Sequence, residues 1–399
     1  MAAYQEIKEG KAVIHVPRET KISAKLPVFY NPVMAQNRDL SVLLLKALDR
    51  KGLQIGLPLA GSGIRGIRFL RELPSRMVSL LAFNDHSRKA AAHIRANLRR
   101  NKLSQGALAK VQVSNRDANA FFLGSKGFDY IDLDPFGTPN PFLDAAINRL
   151  AREGILAVTA TDTAPLSGTY PHACRRKYWA KPLKNEFMHE TGLRILIRKV
   201  QLIGAQYDKA LSPLFSYSTD HYFRVFFINH KGKTKVDALF TQHRHVAYDP
   251  ESLSRRLLEP ASLASGKSIP RSTTGVRAPE IVFGPLYSGP LFDHALVLRM
   301  LELIPAGPAS GRASSGTPGA SAARLGRFLH IIALESRLGF PLFYDVHRIA
   351  KCHHLAHLPT MKEVFRKLRK AGCRTAPTHF SPTGFLCDKG IEVIRKALS

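Results

Sequence analysis

QIGLPLAGSGIRGIRFLRE, residues 54–72, reads as a buried strand over 54–59 that runs into Gly61-Ser62-Gly63 and then a helix from Ile64 to Glu72. A short apolar run stopped by glycines and followed by 3.6-residue periodicity is the strand–turn–helix step of an α/β protein. The step repeats downstream. VSLLAF at 78–83 ends at Asn84-Asp85, and a basic helix from Ser87 to about Lys102 keeps alanines and leucines on one face and arginines on the other. Val111-Gln112-Val113 runs into Asp117, and FDYIDL at 128–133 into Asp134; a helix over 141–153 precedes strand ILAVTAT at 155–161. This alternation predicts an open, mostly parallel sheet. Its polar residues collect just past the strand ends, where such sheets bind ligands.

Beyond this core a long helix is expected from about Glu186 to Leu211, then two strands within 213–230 that turn at Ser218–Asp220 and close the sheet edge as an antiparallel hairpin. Residues 231–280 read as irregular and basic. Residues 306–323 have linker composition, and 324–399 carries two or three helical patterns and a winged-helix-like character. A chain of 399 residues exceeds one ordinary core, so two domains are expected, 1–245 and 246–399, with a flexible linker near 306–323. The 59 Lys+Arg against 30 Asp+Glu give a formal charge of +29, which points to a polyanionic partner, nucleic acid first and anionic membrane second. No run approaches the roughly 20 apolar residues of a membrane span. The N-terminal stretch lacks the apolar segment of a signal peptide, and Cys174, Cys352, Cys373 and Cys387 are too scattered for a disulfide framework. A soluble, intracellular protein is expected.

Three strand ends carry candidate ligands for a nucleoside. Gly61 and Gly63 let the backbone approach a bound group closely. Asp85 stands where a carboxylate accepts both ribose hydroxyls, and Asp117 where one accepts from an adenine amino group. Each aspartate taken alone reads equally well as a helix N-cap. The chemistry centres on Ile131-Asp132-Leu133-Asp134-Pro135-Phe136-Gly137. An amino group on an aromatic base is a poor nucleophile, because its lone pair is delocalised into the ring. A carboxylate and a backbone carbonyl, both accepting its N–H bonds, would aim it at a methyl donor and assist proton loss, a requirement that Asp134 with Pro135 and Phe136 fits. Phe136 supplies a ring to stack on the base.

With those residues in place, the chain resembles the tRNA (guanine-N2)-dimethyltransferase family, whose archaeal and eukaryotic members methylate guanine 26. VFYNPVMAQNRDLSV (28–42), GSGIRGIRFL (61–70), FNDHSRKA (83–90), YIDLDPFGTP (130–139), VTATDTAPLSG (158–168), CRRKY (174–178), DHYFR (220–224), PLFYDVH (341–347) and THFSPTG (378–384) all read as its motifs. The resemblance implies a class I S-adenosylmethionine-dependent methyltransferase fold: a Rossmann-like, mostly parallel seven-stranded sheet, with a smaller α+β C-terminal domain that binds tRNA. It implies that Arg38 and Arg65 hold the donor, Asp85 its ribose, and Asp117 with Ala118 its adenine. Asp134 becomes the catalytic carboxylate, and Phe29 and Phe136 sandwich the guanine. It further implies a cytoplasmic enzyme, taken here as a monomer, and, lacking any Cys-x-x-Cys, without a metal. One departure stands out: the family's usual acid near the end of the first strand is absent from Gly56-Leu57-Pro58-Leu59.

Arg175, Arg176 and Lys177, with Lys181 and Lys184, are expected to contact tRNA phosphates, although such runs are commonly just a solvated face. The basic stripe Lys362–Lys370 reads the same way. Trp179 reads either as a base-stacking ring or as core. Cys352-His353-His354 with His357 has a ligand-like look but no second ligand cluster. Two rival functions share the fold: a tRNA-folding chaperone, and an amino-methyltransferase acting on rRNA or DNA.

Overall fold

The computed structural model describes residues 4–18, 28–259, 280–304, 318–339 and 342–399. A hairpin of β1 (Tyr4–Glu9) and β2 (Ala12–Pro17) comes first, with Ile7 paired to Ile14. The main sheet has seven strands: β3 (Leu53–Leu57), β4 (Val78–Asn84), β5 (Val111–Ser114), β6 (Phe128–Leu133), β7 (Leu150–Ala160), β8 (Lys209–Thr219) and β9 (Tyr222–Lys231). Their order is β5-β4-β3-β6-β7-β9-β8. The first five run parallel, neighbour to neighbour. β8 and β9 are adjacent and joined by only two residues, a connection that permits antiparallel pairing alone. The sheet is therefore mixed, as a class I methyltransferase sheet requires. β3 is the first of its strands in the chain and lies between β4 and β6, so the strand order reverses there and opens a crevice at the carboxyl ends. Ile55, Leu57, Leu81, Phe83, Ile131, Leu133, Leu156 and Val158 are buried. Such near-continuous apolar strands mark a sheet covered on both faces.

The helices Ile64–Glu72 and Arg88–Arg100 fall where periodicity places them. The helix expected over 141–153 ends sooner, at Asn148, and its last turn is instead the start of β7. Pairing decides the matter: Phe128 faces Leu150 and Tyr130 faces Ile155, so three extra residues bulge between them, with Glu153 in the left-handed region at φ 57°. The long helix spans Met188–Ala205, stopped before Asp208, also left-handed at φ 53°.

By compactness the chain forms two units whose segments alternate along the sequence. One comprises Met1–Thr161, Arg224–Lys231 and Ala295–Leu329; the other comprises Asp162–Phe223, Gly232–His294 and His330–Ser399. A division at 245 is coarser than this alternation. Within the second unit, the stretch read as irregular folds in part: a helix Lys233–Phe240, then β10 (His243–Tyr248), β11 (Arg255–Leu258) and β12 (Ile281–Tyr287) in the antiparallel order β11-β10-β12. Its aromatic positions pack inward, Phe187 meeting Tyr248 and Phe283. The C-terminal region has helices Val346–Cys352, Met361–Lys370 and Ile391–Leu398 beside a second sheet, β13 (Tyr344–Asp345), β14 (Thr375–Pro377) and β15 (Gly384–Cys387), in the order β13-β15-β14. A capping box of Thr360 and Glu363 starts the middle helix, which buries Val364 and Leu368 and exposes Lys362, Arg366, Arg369 and Lys370. Most of the expected linker, through residue 317, lies outside the described residues; its remainder, 318–323, belongs to the helix Pro318–Glu335. Among the described residues no helix is long and apolar enough to cross a membrane.

Candidate active site

The glycine turn sits over the crevice beside β3. Gly61 and Gly63 adopt φ +54° and +80°, a region that disfavours a side chain. A Cβ on Gly61 would stand 3.0 Å from the Phe29 carbonyl oxygen, which accepts the Ser62 N–H at 3.1 Å. Asp85, one residue past β4, accepts the Gly61 N–H on Oδ2 and the Ser87 N–H on Oδ1, each at 2.9 Å. It therefore fixes the turn as well as facing the crevice. Asp117 caps the helix Ala118–Leu123: its Oδ1 accepts from Asn119 and Ala120, which leaves Oδ2 without a cap bond. Ala118 is buried behind it. Asn84, which the sequence reading passed over, joins three strand ends. Its Nδ2 donates to the Pro58 and Arg116 carbonyls, and its Oδ1 accepts from Arg116 N and Ser114 Oγ. With all four of its hydrogen-bonding sites used, it sets the spacing between Asp85 and Asp117.

The two carboxylates of IDLDPFG have separate fates. Asp132 is buried in β6 and accepts from Arg224 Nη1 at 3.0 Å, Arg224 Nη2 at 2.7 Å and Tyr130 Oη at 2.6 Å. Burial alone would push its carboxyl up; the Arg224 and Arg65 guanidiniums hold it below the ordinary value instead. Asp134, one residue beyond the strand, is partly exposed and pairs with Arg65 Nη2 at 2.5 Å. Arg65 also donates to Ser41 Oγ at 2.8 Å and lies 3.4 Å from Asp132. Ser41 accepts from Arg224 as well, at 3.2 Å. Asp134 is thus the outer end of a buried polar network that runs through Arg65 and the Ser41 hydroxyl to Arg224 and Asp132. The Gly137 N–H donates to Thr161 Oγ1 at 2.6 Å, and its carbonyl accepts the Thr161 N–H, so the Pro135-Phe136 turn is pinned to the end of β7.

Phe29 and Phe136 are in direct contact. Their ring centroids are 4.3 Å apart at an interplanar angle of 78°, edge to face. A base between parallel rings needs roughly 7 Å, twice the roughly 3.4 Å stacking step. Phe136 is exposed and Phe29 half-buried, and the edge-to-face contact covers part of the Phe136 ring. Arg38 pairs with Glu9 of the N-terminal hairpin. It is buried, with Nε and Nη2 on Glu9 at 2.7 and 2.5 Å and Nη2 also on the Asn31 carbonyl. Arg68 reaches Glu9 as well, at 3.0 Å, and Tyr30 Oη donates to it. Burial favours the protonated acid, yet the two arginines hold Glu9 down at about 2. Nε and Nη2 of Arg38 are thereby engaged, and Nη1 makes no hydrogen bond among the described residues. Arg175, Arg176 and Lys177 lie exposed in the last turn of the helix Pro171–Tyr178, where Lys177 pairs with Asp162 at 3.4 Å.

Sequence reasoning missed Arg224, Ser41, Asn84 and Glu9. The polar residues inside apolar runs (Arg224 within YFRVFF, Asn84 within LAFND) were the available signal. For metal, the Cys352-His353-His354-His357 group forms no cluster among the described residues. Cys373, Cys387 and Asp388 do bring potential ligand atoms within 4.8 Å of one another, although the Asp388 carboxylate already accepts twice from Arg374.

A family model described as N2,N2-dimethylguanosine tRNA methyltransferase matches residues 10–399. The chain is 37% identical to the tRNA (guanine(26)-N(2)/guanine(27)-N(2))-dimethyltransferase of Aquifex aeolicus, covering 98% of this chain and 95% of that protein. It is also 37% identical to the tRNA (guanine(26)-N(2))-dimethyltransferase of Pyrococcus furiosus, over 97% and 96%. The structure of Trm1 from Pyrococcus horikoshii in complex with S-adenosyl-L-methionine superposes with a TM-score of 0.81 at 33% identity, covering 99% of this chain and all of that one.

Proposed function

The chain belongs to the N2,N2-dimethylguanosine tRNA methyltransferase family, and from that premise we infer that it transfers methyl groups from S-adenosylmethionine to the exocyclic N2 of a guanine in tRNA. We place that guanine at position 26, giving N2-methyl- and then N2,N2-dimethylguanosine, since one N–H remains after the first transfer. The observation that carries the reading is Asp134, a partly exposed carboxylate presented at a sheet's carboxyl end and held there by Arg65.

The residues present suit the donor. The left-handed glycine turn leaves room that a Cβ would fill, and Asp85 and Asp117 offer acceptors for ribose hydroxyls and an adenine amine, with Ala118 beneath. Arg38 Nη1 is the atom left for the donor carboxylate, and Arg65 is the second cation of the site. When bound, the sulfonium supplies an electrophilic methyl group. The chain's own part is to hold and aim the amine. Asp134 and the Pro135 carbonyl accept its two N–H bonds, which turns the nitrogen lone pair toward the methyl and gives Asp134 the departing proton. Phe29 and Phe136 part to admit the flipped guanine, each stacking on one of its faces. Arg175, Arg176 and Lys177 take phosphates, and the 246–399 region serves tRNA binding. All these residues come from one chain, so a monomer suffices. A cytoplasmic setting suits four cysteines that are all unbridged. No metal enters this chemistry.

The test is labelled methyl transfer to unmodified tRNA transcripts, read by nucleoside mass spectrometry. N2-methylated guanosine that disappears when guanine 26 is replaced supports the assignment. Equal incorporation into the replaced transcript moves the target elsewhere, and none into any tRNA overturns the reading.

A further inference from the structure

The chain's single tryptophan lies in a basic concavity that the reaction does not use. Trp179 ends the helix Pro171–Tyr178 in a left-handed conformation, φ 55°, unusual for so bulky a residue, and is 47% exposed. It is held there on both sides. The Arg175 carbonyl accepts its N–H at 3.1 Å, and Lys181 exchanges two backbone hydrogen bonds with Gly284, each 2.8 Å. The cavity beside it, about 350 Å³, is lined by Arg175, Trp179, Lys181, His245 and Phe283.

Charge around the indole is one-sided. Lys199 Nζ stands 2.9 Å from the ring centroid, and Arg198 Nη1 donates to the Trp179 carbonyl at 3.3 Å. Among the described residues, Arg175, Lys181, Arg198 and Lys199 form no ion pair. Burial, then the Arg198 charge, pushes the Lys199 ammonium down to about 8, and burial pushes Arg198 down to about 10. Cations kept near one another without an acid attract an anion. A half-exposed indole beside them takes a planar group on its face.

We propose that this concavity is a nucleotide subsite for the tRNA, with an unstacked base on the Trp179 indole and its phosphate on the surrounding cations. The proposal rests on tRNA being the substrate. Aromatic stacking next to backbone-binding cations is how unpaired nucleic acid is gripped. The indole favours a base over an acidic peptide, whose carboxylates need no ring.

As the only tryptophan, Trp179 reports directly. Its emission and its accessibility to acrylamide are followed while wild-type protein is titrated with an unmodified tRNA transcript at fixed salt, with filter binding in parallel. Quenching and acrylamide protection that saturate with the filter-binding Kd support the subsite. Trp179→Ala should weaken tRNA binding roughly 5- to 150-fold, and Trp179→Phe much less. If tRNA binds and is methylated while Trp179 emission and accessibility stay unchanged, the subsite is overturned and the enzyme reading stands. Equal quenching by polyglutamate overturns the nucleotide assignment. No tRNA binding by either readout overturns both readings.

Discussion

Replacing Arg224 by Met should unsettle the floor of the site without touching its surface. In the wild type Arg224 makes four hydrogen bonds, two to Asp132, one to Thr159 Oγ1 and one to Ser41 Oγ. At about 1.5 kcal/mol for each bond from a charged donor they sum to about 6 kcal/mol, an upper bound. Tyr130 and Arg65 remain on Asp132 and recover part of it. The expected loss is therefore the roughly 3–5 kcal/mol of stripping one partner from a buried ion pair. The pH dependence identifies the cause. Asp132 is held below its ordinary value in the wild type, so the pair's contribution is present above about pH 4 and is lost as pH falls through the lower folded value. In the variant, burial pushes the same carboxyl up, and stability declines as pH rises through it. Both effects widen the gap between the proteins with rising pH. Urea denaturation followed by circular dichroism should show a larger midpoint difference at about pH 7 than at about pH 3. Adding Asp132→Leu should return most of the loss, since a buried pair is replaceable by apolar groups of similar size. Equal midpoints, or a gap independent of pH, would refute the argument.

Three further outcomes follow from the geometry. Phe136→Ala should leave thermal stability nearly unchanged, because the ring is 52% exposed, while kcat/KM for tRNA falls roughly 5- to 150-fold; unchanged kinetics would remove Phe136 from the base site. Gly61→Ala forces a side chain into a left-handed position against the Phe29 carbonyl, and calorimetry should find donor binding weakened roughly tenfold. Glu9→Gln should melt below the wild type at pH 7. Glu9 is held at about 2, so its contribution is whole above about pH 4.3 and fades as pH falls toward 2; thermal scans should show the two proteins converging there.

Most of the sheet was legible because each parallel strand is a short apolar run ended by a turn residue, and β4 and β6 lie where those runs lie. The start of β7 was not, since Leu150–Glu153 carries helical periodicity and only pairing with β6 makes it a strand. β10 and β11 were hidden by their arginines and histidines, which break up the apolar run that marks the strands of the main sheet. At the site, Asp85, Asp117 and Asp134 stand at strand ends as read. What the sequence did not convey was partnership. Arg38 meets Glu9 across 29 residues and Arg224 meets Asp132 across 92, and a single chain of letters carries no sign of which distant charge will be adjacent. The Phe29–Phe136 contact is similar: two rings 107 positions apart meet edge to face, and no local pattern announces it.

The most direct test of the account is methyl transfer by Asp134→Ala, measured with the Kd for donor and for tRNA on the same preparation. Asp134 aims the amine and takes its proton, so turnover should fall by roughly 10²–10⁴ while both dissociation constants stay near the wild-type values. Wild-type turnover with both ligands bound would contradict it, and would mean that Asp134 is not the carboxylate on which the reaction depends.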